Sequence, residues 1–252
     1  MKVSLFITCV VDQFFPRVGE ALVEVLTRLG VEVVFNPAQT CCGQPAFNTG
    51  YRTEAREVAA RMLELFEGEL TRADYVVAPS GSCVAMVRKF YPEVFADEPP
   101  QRERAERVGA RVYELSEFLV NVLGVEDVNA SFKERVTYHD SCHLLRELGV
   151  SSEPRRLIAA VGQAEFVEMD RTDACCGFGG TFSVRFPELS AAIAEEKATS
   201  IERSRAGAVV ACDSSCLMQI AGLLARRGSD VRCLHIAELL ASGAAAEGRG
   251  AR

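Results

Sequence analysis

The sequence lacks the features of a membrane-spanning or nucleic-acid-binding chain. None of its apolar runs approaches the roughly 18 residues that are needed to cross a bilayer. Basic residues are in the minority, because 28 lysines and arginines stand against 35 aspartates and glutamates, for a net charge of −7. This balance argues against a nucleic-acid surface and against binding to an anionic membrane. We therefore expect no nucleic-acid partner and no membrane span.

The sequence also lacks a signal-peptide cleavage site and a nucleotide-binding glycine motif. The N-terminal stretch MKVSLFITCVVDQFFPRVG begins like a signal peptide, but its apolar run ends at Asp12 and no small-residue cleavage site follows. We interpret it as a buried first strand and expect a cytoplasmic protein, whose thiols stay free or bind metal. No GxGxxG motif follows that strand, so the sequence predicts no independent nucleotide site. No general base stands out, which argues against a stand-alone enzyme.

What the chain does contain is a duplicated set of cysteines. Its ten cysteines are about 4% of the residues, a density below that of a disulfide scaffold. Eight of them form two matching sets, whose corresponding members lie 133 or 134 positions apart. The sets are Cys9, Cys41, Cys42 and Cys83 in the first half, and Cys142, Cys175, Cys176 and Cys216 in the second. This pattern predicts a tandem duplication, with units at 1–128 and 129–242 and a disordered tail at 243–252.

The pattern of apolar segments predicts the fold of each unit. Short apolar segments such as VEVVF and AVVAC alternate with amphipathic helical segments in both halves. Such alternation is typical of α/β proteins, here two tandem Rossmann-like units with parallel sheets. Each cysteine or cysteine pair follows a predicted strand, and the carboxyl ends of parallel strands share one edge of a sheet. We therefore expect four cysteines to converge in each unit, with the two edges meeting at a pseudo-twofold cleft.

The adjacent cysteines favour a metal centre over a disulfide. Neighbouring Cα atoms are about 3.8 Å apart, whereas ordinary disulfides span about 4.4–6.8 Å. Two close thiolates repel each other unless a cation lies between them, and the following Gly43 and Gly177 permit a close backbone turn. Soft thiolates select zinc, copper(I) or iron–sulfur clusters. The repeated sites lack tight CxxC pairs, which favours an iron–sulfur cluster. A zinc-binding or thiol-based redox-sensing module without electron transfer is the alternative, and buried apolar cysteines are the third interpretation.

The doubled pattern CCG, with a single cysteine before and after it, resembles the tandem cysteine-rich CCG family. That family includes the cysteine-rich component of heterodisulfide reductase and the iron–sulfur component of glycolate oxidase, and the phrases HDSCHLLRELGV and SSCLMQI are most similar to its lactate-utilisation branch. The resemblance implies a cytoplasmic electron-transfer component of an L-lactate-oxidising system, hence part of an oxidoreductase complex. It implies two partner proteins, one of them a ferredoxin-like iron–sulfur protein, and clusters held by the eight cysteines. Heterodisulfide reductase-type units close with CxxC, but Met86 and Gln219 stand here instead. A four-cysteine [4Fe–4S] cluster, one or two per chain, fits this departure better than a five-cysteine cluster.

The remaining candidates are weighed against ordinary structural roles. Cys212 lacks a cysteine counterpart, and we expect it to be a core residue, with a role as an extra ligand of the second site as the alternative. Cys233 is also expected to be a core residue. His139 and His143 flank Cys142 and either bind the centre or are ordinary loop histidines, with Asp140 and Ser141 as helix caps. The lone His235 is expected to be structural. Ser82 and Ser215 are predicted to cap helices that start at Cys83 and Cys216, with a hydrogen bond to a cluster sulfur as the alternative. The inserted QRERAERVGAR is predicted to be a surface helix or a partner contact.

Overall fold

The computed structural model describes residues 1–243, and each half is built on a four-stranded parallel sheet. The first sheet contains β1 (Lys2–Leu5), β2 (Glu32–Phe35), β3 (Tyr75–Ala78) and β4 (Val112–Glu114), in the order β2-β1-β3-β4. The second contains β5 (Arg135–Tyr138), β6 (Glu165–Phe166), β7 (Ala208–Ala211) and β8 (Arg232–His235), in the order β6-β5-β7-β8. The matching topologies confirm the predicted α/β class with two duplicated parallel-sheet units.

Helices connect the strands and cover the sheets. In the first half they are α1 (Cys9–Phe14), α2 (Pro16–Arg28), α3 (Gln44–Asn48), α4 (Arg52–Glu69), α5 (Gly81–Ala85), α6 (Tyr91–Val94), α7 (Pro99–Gly109) and α8 (Leu115–Glu117). In the second half they are α9 (Cys142–Leu148), α10 (Ser152–Ala159), α11 (Phe182–Arg185), α12 (Pro187–Arg203), α13 (Ser214–Arg226) and α14 (Ile236–Ala241). π-Helical turns at Met86–Phe90 and Phe118–Val122 continue α5 and α8. The inserted basic segment lies in α7, which confirms the helix alternative.

The sequence pattern explains most of these elements. The N-terminal apolar run forms β1 with Val3 and Leu5 buried, as the sequence predicted. Helix α2 ends as expected before Gly30, whose φ of +74° suits a residue without a side chain. The strand context of Cys233 is confirmed by the edge strand β8. The edge strand β4 was not predicted, because it is only three residues long and runs directly into a helix. The division of the chain at 128/129 stays a prediction, and the predicted tail from residue 244 lies outside the described residues.

The two halves share one apolar core. Buried side chains of both sheets, including Leu5, Val77, Val136 and Val210, belong to a single cluster between them. The last helical segment of each half also packs on the other half. Helix α14 packs on α2, and the segment formed by α8 and its π-turn packs on α10. The halves are therefore related by reciprocal packing and not merely joined in tandem. Among residues 1–243, no helix is long and apolar enough to cross a membrane.

Candidate metal centres

The first site is built at the carboxyl edge of the first sheet. Strand β1 lies between β2 and β3, so the chain reverses its direction of travel across the sheet there, which is where ligands bind in open α/β sheets. Cys9 follows β1, Cys41 and Cys42 follow β2, and Cys83 follows β3. The Sγ atoms of Cys9 and Cys41 are 3.6 Å apart, and those of Cys42 and Cys83 are 3.4 Å apart. The fold thus gathers sulfurs that are up to 74 positions apart in the sequence.

The second site repeats this arrangement on the second sheet. Cys142 follows β5, Cys175 and Cys176 follow β6, and Cys216 lies in the first turn of α13 after β7. The CCG turn has the same geometry in both sites. The N–H of Gly43 points at Cys41 Sγ at 3.4 Å, and the N–H of Gly177 points at Cys175 Sγ at 3.3 Å. Both glycines have φ near +85°, and a Cβ on Gly177 would lie 2.5 Å from the Ser190 carbonyl oxygen, so only glycine fits.

Both sites open on one cleft between the halves. Its open space amounts to about 850 Å³, and the eight duplicated cysteines all line it. Its remaining walls are mostly small or polar residues, namely Thr8, Val10, Gln44, Pro45, Asn48, Ser80, Ser82, Ser141, His143, Phe178, Gly179, Gly180, Asp213, Ser214 and Ser215. The cysteine edges therefore meet at a shared cleft, as the duplication predicted.

Mutual hydrogen bonding gives each site at least one thiol whose pKa lies well below that of an ordinary cysteine. Hydrogen bonds from the Cys42 and Cys9 thiols lower the pKa of Cys41 to about 3, with help from the Gly43 N–H. In the second site, bonds from Cys142 and Cys176 lower the pKa of Cys175 to about 2. The same contacts raise the pKa of the thiols that donate these bonds. In the second site a hydrogen bond with Cys176 also lowers the pKa of Cys216, to about 6. Negative charge is therefore concentrated on Cys41 in the first site and on Cys175 and Cys216 in the second, where it attracts a metal cation.

The donor set fits a thiolate-bound metal centre. All ten cysteines are free, so the eight sulfurs are available as ligands. Buried polar atoms beside them also lack hydrogen-bond partners among the described residues. These atoms are Ser141 Oγ, Ser214 Oγ and both ring nitrogens of His139. Unpartnered buried polar atoms are rare in native proteins and often mark an unseen ion or water. We conclude that the residues present suit a soft metal or a metal–sulfur cluster.

The predicted N-cap roles of Ser82 and Ser215 are wrong, and Ser82 instead links the two halves. Helix α5 starts at Gly81, and its N-cap is Ser80, whose hydroxyl accepts from the Cys83 N–H. The hydroxyl of Ser82 instead donates to Asp213 of the other half. Helix α13 starts at Ser214, so Ser215 lies inside it and Asp213 occupies the N-cap position without a capping side-chain bond. The prediction failed because it placed each helix start two residues late.

The other candidate residues named in the sequence have either a structural role or a place beside the second site. Cys212 is fully buried in the shared core against Tyr138, and Cys233 packs in β8, so both are core residues as expected. His235 is also structural, because its Nδ1 caps α14 and its Nε2 bonds the Pro79 carbonyl at 3.1 Å. The suggested caps at Asp140 and Ser141 are confirmed only in part, because Ser141 occupies the N-cap position of α9 whereas Asp140 does not.

The residues around Cys142 have other roles. Ser141 makes no side-chain capping bond, and Asp140 forms a bidentate pair with Arg155 at 2.7 and 2.8 Å. His143 lines the cleft beside Phe90, whereas His139 is the histidine placed against the sulfurs. The nitrogen of His139 and the sulfurs of Cys176 and Cys216 all lie within 4.8 Å of one another. The sequence did not single out His139, and the geometry places it, and not His143, against the sulfurs.

A family model described as a cysteine-rich domain, CCG, matches the chain twice, over residues 3–88 and 136–221. The chain belongs to the CCG cysteine-rich domain family. The two matched segments of this CCG protein contain one four-cysteine site each. The predicted family resemblance is thereby confirmed.

Relatives of this CCG protein match along nearly their whole length. A protein called Lactate utilization protein A from Geobacillus thermodenitrificans is 49% identical over 95% of this chain and 98% of its own. Proteins of the same name from Bacillus licheniformis and Bacillus subtilis are each 47% identical over 96% of this chain and 100% of their own. Among solved structures, a hypothetical protein from Helicobacter pylori has a TM-score of 0.63 at 10% identity, covering 97% of this chain and 49% of that protein. The last likeness concerns the fold alone.

Proposed function

We propose that this chain is an iron–sulfur electron-transfer subunit of an L-lactate-oxidising system. The observation that carries the proposal is the gathering of four cysteine side chains at each sheet edge, with both sets facing one cleft. In the first site the ligands are Cys9, Cys41, Cys42 and Cys83, and in the second they are Cys142, Cys175, Cys176 and Cys216. Four thiolates suit a [4Fe–4S] cluster, one or two per chain, which when bound supplies one-electron transfer.

The protein's own groups would hold and tune such a centre. Backbone N–H groups that point at a ligating sulfur stabilise the more negative, reduced form, and the Gly43 and Gly177 N–H groups are placed to do so. The halves pack through a common core, which holds the two sites at a fixed separation. A fixed separation suits electron transfer, because little reorganisation accompanies the change of charge.

The proposed lactate-oxidising system is inferred from the names of the relatives. Proteins named Lactate utilization protein A match this chain at 47–49% identity over nearly their full length. We propose that the chain acts in the cytoplasm as one component of an oxidoreductase complex that oxidises L-lactate. Its partners would be two further proteins, one of them a ferredoxin-like iron–sulfur protein. The substrate would then be oxidised by the assembled complex and not by this chain alone.

Anaerobic purification followed by iron and sulfide analysis tests the proposal. The protein should be brown, with broad absorbance in the visible range and several irons and sulfides per chain. Cys42→Ser and Cys176→Ser should each remove the centre of one half, lowering the iron content by about half if both sites are loaded. Cys233→Ser is the matched control, since this half-buried thiol lies in β8 outside both sites and its loss should leave the iron content unchanged.

A zinc or thiol-redox module without electron transfer is the second candidate. The compact group of His139, Cys176 and Cys216 favours it, because two sulfurs and one imidazole resemble the ligands of zinc sites. A colourless protein that contains zinc, or no metal, after anaerobic purification would support this candidate and contradict the iron–sulfur proposal.

A further inference from the structure

The two sites differ at the residue that follows the first strand of each sheet. Phe6 follows β1 and His139 follows β5, and their N–H groups bond equivalent carbonyl oxygens, those of Val77 and Val210, each at 2.9 Å. The backbone is therefore the same and only the side chains differ. The Phe6 ring packs edge-on against Phe66 with ring centroids 5.2 Å apart, in an apolar cluster. The equivalent space in the second half is occupied by an imidazole.

His139 is buried without a hydrogen-bond partner. Its exposed fraction is 0%, and neither Nδ1 nor Nε2 has a partner among the described residues. A buried polar group left unpaired destabilises a fold, so an imidazole at this position requires a partner. Its ligand atom and the sulfurs of Cys176 and Cys216 lie within 4.8 Å of one another. Among residues 1–243, no equivalent group of three is found in the first half, where Phe6 offers no donor atom.

The positions that would complete a CxxC pair supply no ligand in either half. Met86 is fully buried in the apolar cluster of the first half. The Gln219 amide donates to Ser190 Oγ at 2.9 Å, so its side chain is already engaged elsewhere. The second site therefore has an additional donor in His139, whereas the first site has only its four sulfurs.

We propose that a ring nitrogen of His139 is a ligand of the metal centre in the second half. That centre then has a mixed nitrogen and sulfur donor set, while the centre in the first half is held by sulfur alone. The inference rests on the proposed iron–sulfur function and deepens it. Imidazole nitrogen is an ordinary ligand of iron and replaces thiolate in some iron–sulfur centres, where it raises the reduction potential.

Pulsed electron paramagnetic resonance of the anaerobically purified, reduced protein tests this assignment. The wild type should show strong ¹⁴N hyperfine coupling from one of its centres, and His139→Phe, which copies Phe6, should abolish that coupling. His143→Phe is the matched control, because it removes a cleft-lining imidazole outside the three-residue group and should leave the coupling intact. The reciprocal Phe6→His should add a second coupled centre if the first site accepts the same geometry.

Isotope labelling keeps the test independent of how the variants fold. Wild-type protein grown with ¹⁵N-histidine should show the coupling changed to that of ¹⁵N, which places the nitrogen on one of only three histidines. Iron and sulfide present with no strong nitrogen coupling would overturn the role of His139 and leave the proposed function standing. Iron and sulfide absent from the wild type would instead contradict the proposed function itself.

Discussion

Asp213 of the second half accepts hydrogen bonds from Ser82, the residue before Cys83 of the first half. The Ser82 hydroxyl donates to Oδ1 at 2.7 Å, and its N–H donates to Oδ2 at 3.1 Å. The Ser80 hydroxyl donates to the same carboxylate at 2.8 Å. One buried side chain thus fixes the start of the helix that carries a cysteine of the opposite site.

Asp213→Ala should destabilise the protein by about 1–3 kcal/mol, because it leaves the buried Ser80 hydroxyl and the part-buried Ser82 donors without an acceptor. Asp213→Asn should cost less, since its amide oxygen still accepts one of the bonds. Thermal unfolding measures both changes. The control is Asp230→Ala, at a loop position, which should stay within about 0.5 kcal/mol of wild type. Equal stability of Asp213→Ala and wild type would show that the link is unimportant.

Glu114 should make the stability of the protein depend on pH. Burial raises the pKa of this N-cap carboxyl from 4.5 to about 8, although the N–H groups of Ser116 and Glu117 bond one of its oxygens. The folded protein therefore holds a proton here that the unfolded chain releases above pH 4.5. The contribution of Glu114 to the unfolding free energy consequently falls as the pH rises from about 4.5 to about 8.

Glu114→Gln removes this titration and keeps an oxygen for the cap. The melting temperature of the variant should rise relative to wild type between pH 5 and pH 8, by an amount equivalent to at most about 4 kcal/mol. The measurement is a melting series in which only the difference between the two proteins is interpreted. A difference that stays constant with pH would mean that Glu114 is ionised in the folded protein.

Gly81→Ala should destabilise the contact between α5 and α9. A Cβ on Gly81 would lie 2.6 Å from Leu144 Cβ, an atom close to the backbone that cannot move away easily. Overpacking of this kind costs about 1–3 kcal/mol. Gly68→Ala is the matched control, because nothing lies within 4 Å of its added Cβ and it is helical, so it should stabilise by about 0.5–1 kcal/mol. Chemical denaturation of the two variants, with opposite signs expected, checks the contact.

Lys197 should raise the reduction potential of the second centre. Its ammonium is buried, donates to the Arg171 and Thr172 carbonyls at 2.7 and 3.0 Å, and has a pKa lowered to about 8 by burial, so it is mostly charged at neutral pH. Coulombic attraction to the Cys176 and Cys216 sulfurs opposes this lowering of the pKa. A buried positive charge stabilises the more negative, reduced form of a cluster.

The first half has methionine at the equivalent position. Val58 packs on Gly43 and Ile193 packs on Gly177, and four residues further along the two helices are Met62 and Lys197. Lys197→Met should lower the potential of one centre by at least about 60 mV, a tenfold change for a one-electron couple. Redox titration followed by electron paramagnetic resonance measures it. Lys89→Met, at a position outside both cysteine sets, should leave both potentials unchanged. An unchanged potential in Lys197→Met would exclude an electrostatic role for the ammonium.

The internal duplication supported most of what could be predicted about the fold and the candidate sites from the sequence. Cysteines repeated at a spacing of 133 or 134 residues predicted two tandem units. The alternation of apolar and amphipathic segments predicted their α/β fold and the strand ends at which the sulfurs gather. The periodicity could not predict which residues cross between the halves. Ser80 and Asp213 occupy equivalent positions in the two halves. Their side chains differ, and they contact each other across the junction between the halves. Their contact depends on the docking of one half on the other, which no local pattern specifies.

His139 was visible in the sequence but not separable from His143. Both flank Cys142, and neither has a counterpart in the first half. The geometry separates them because His139 immediately follows a central strand, where its side chain enters the buried interior, whereas His143 lies one helical position beyond Cys142 and lines the cleft. Aligning the repeats position by position, which pairs His139 with Phe6, is the signal that would have singled it out.

The reciprocal packing of α14 on α2, and of the segment that ends at Val122 on α10, is the arrangement of a symmetric dimer. A single-copy ancestor would make the same contacts by pairing with itself, each protomer lending its last helix to its twin. Within one chain the two copies meet without diffusing together and need not be identical. Equivalent positions can therefore differ, as Phe6 and His139 do.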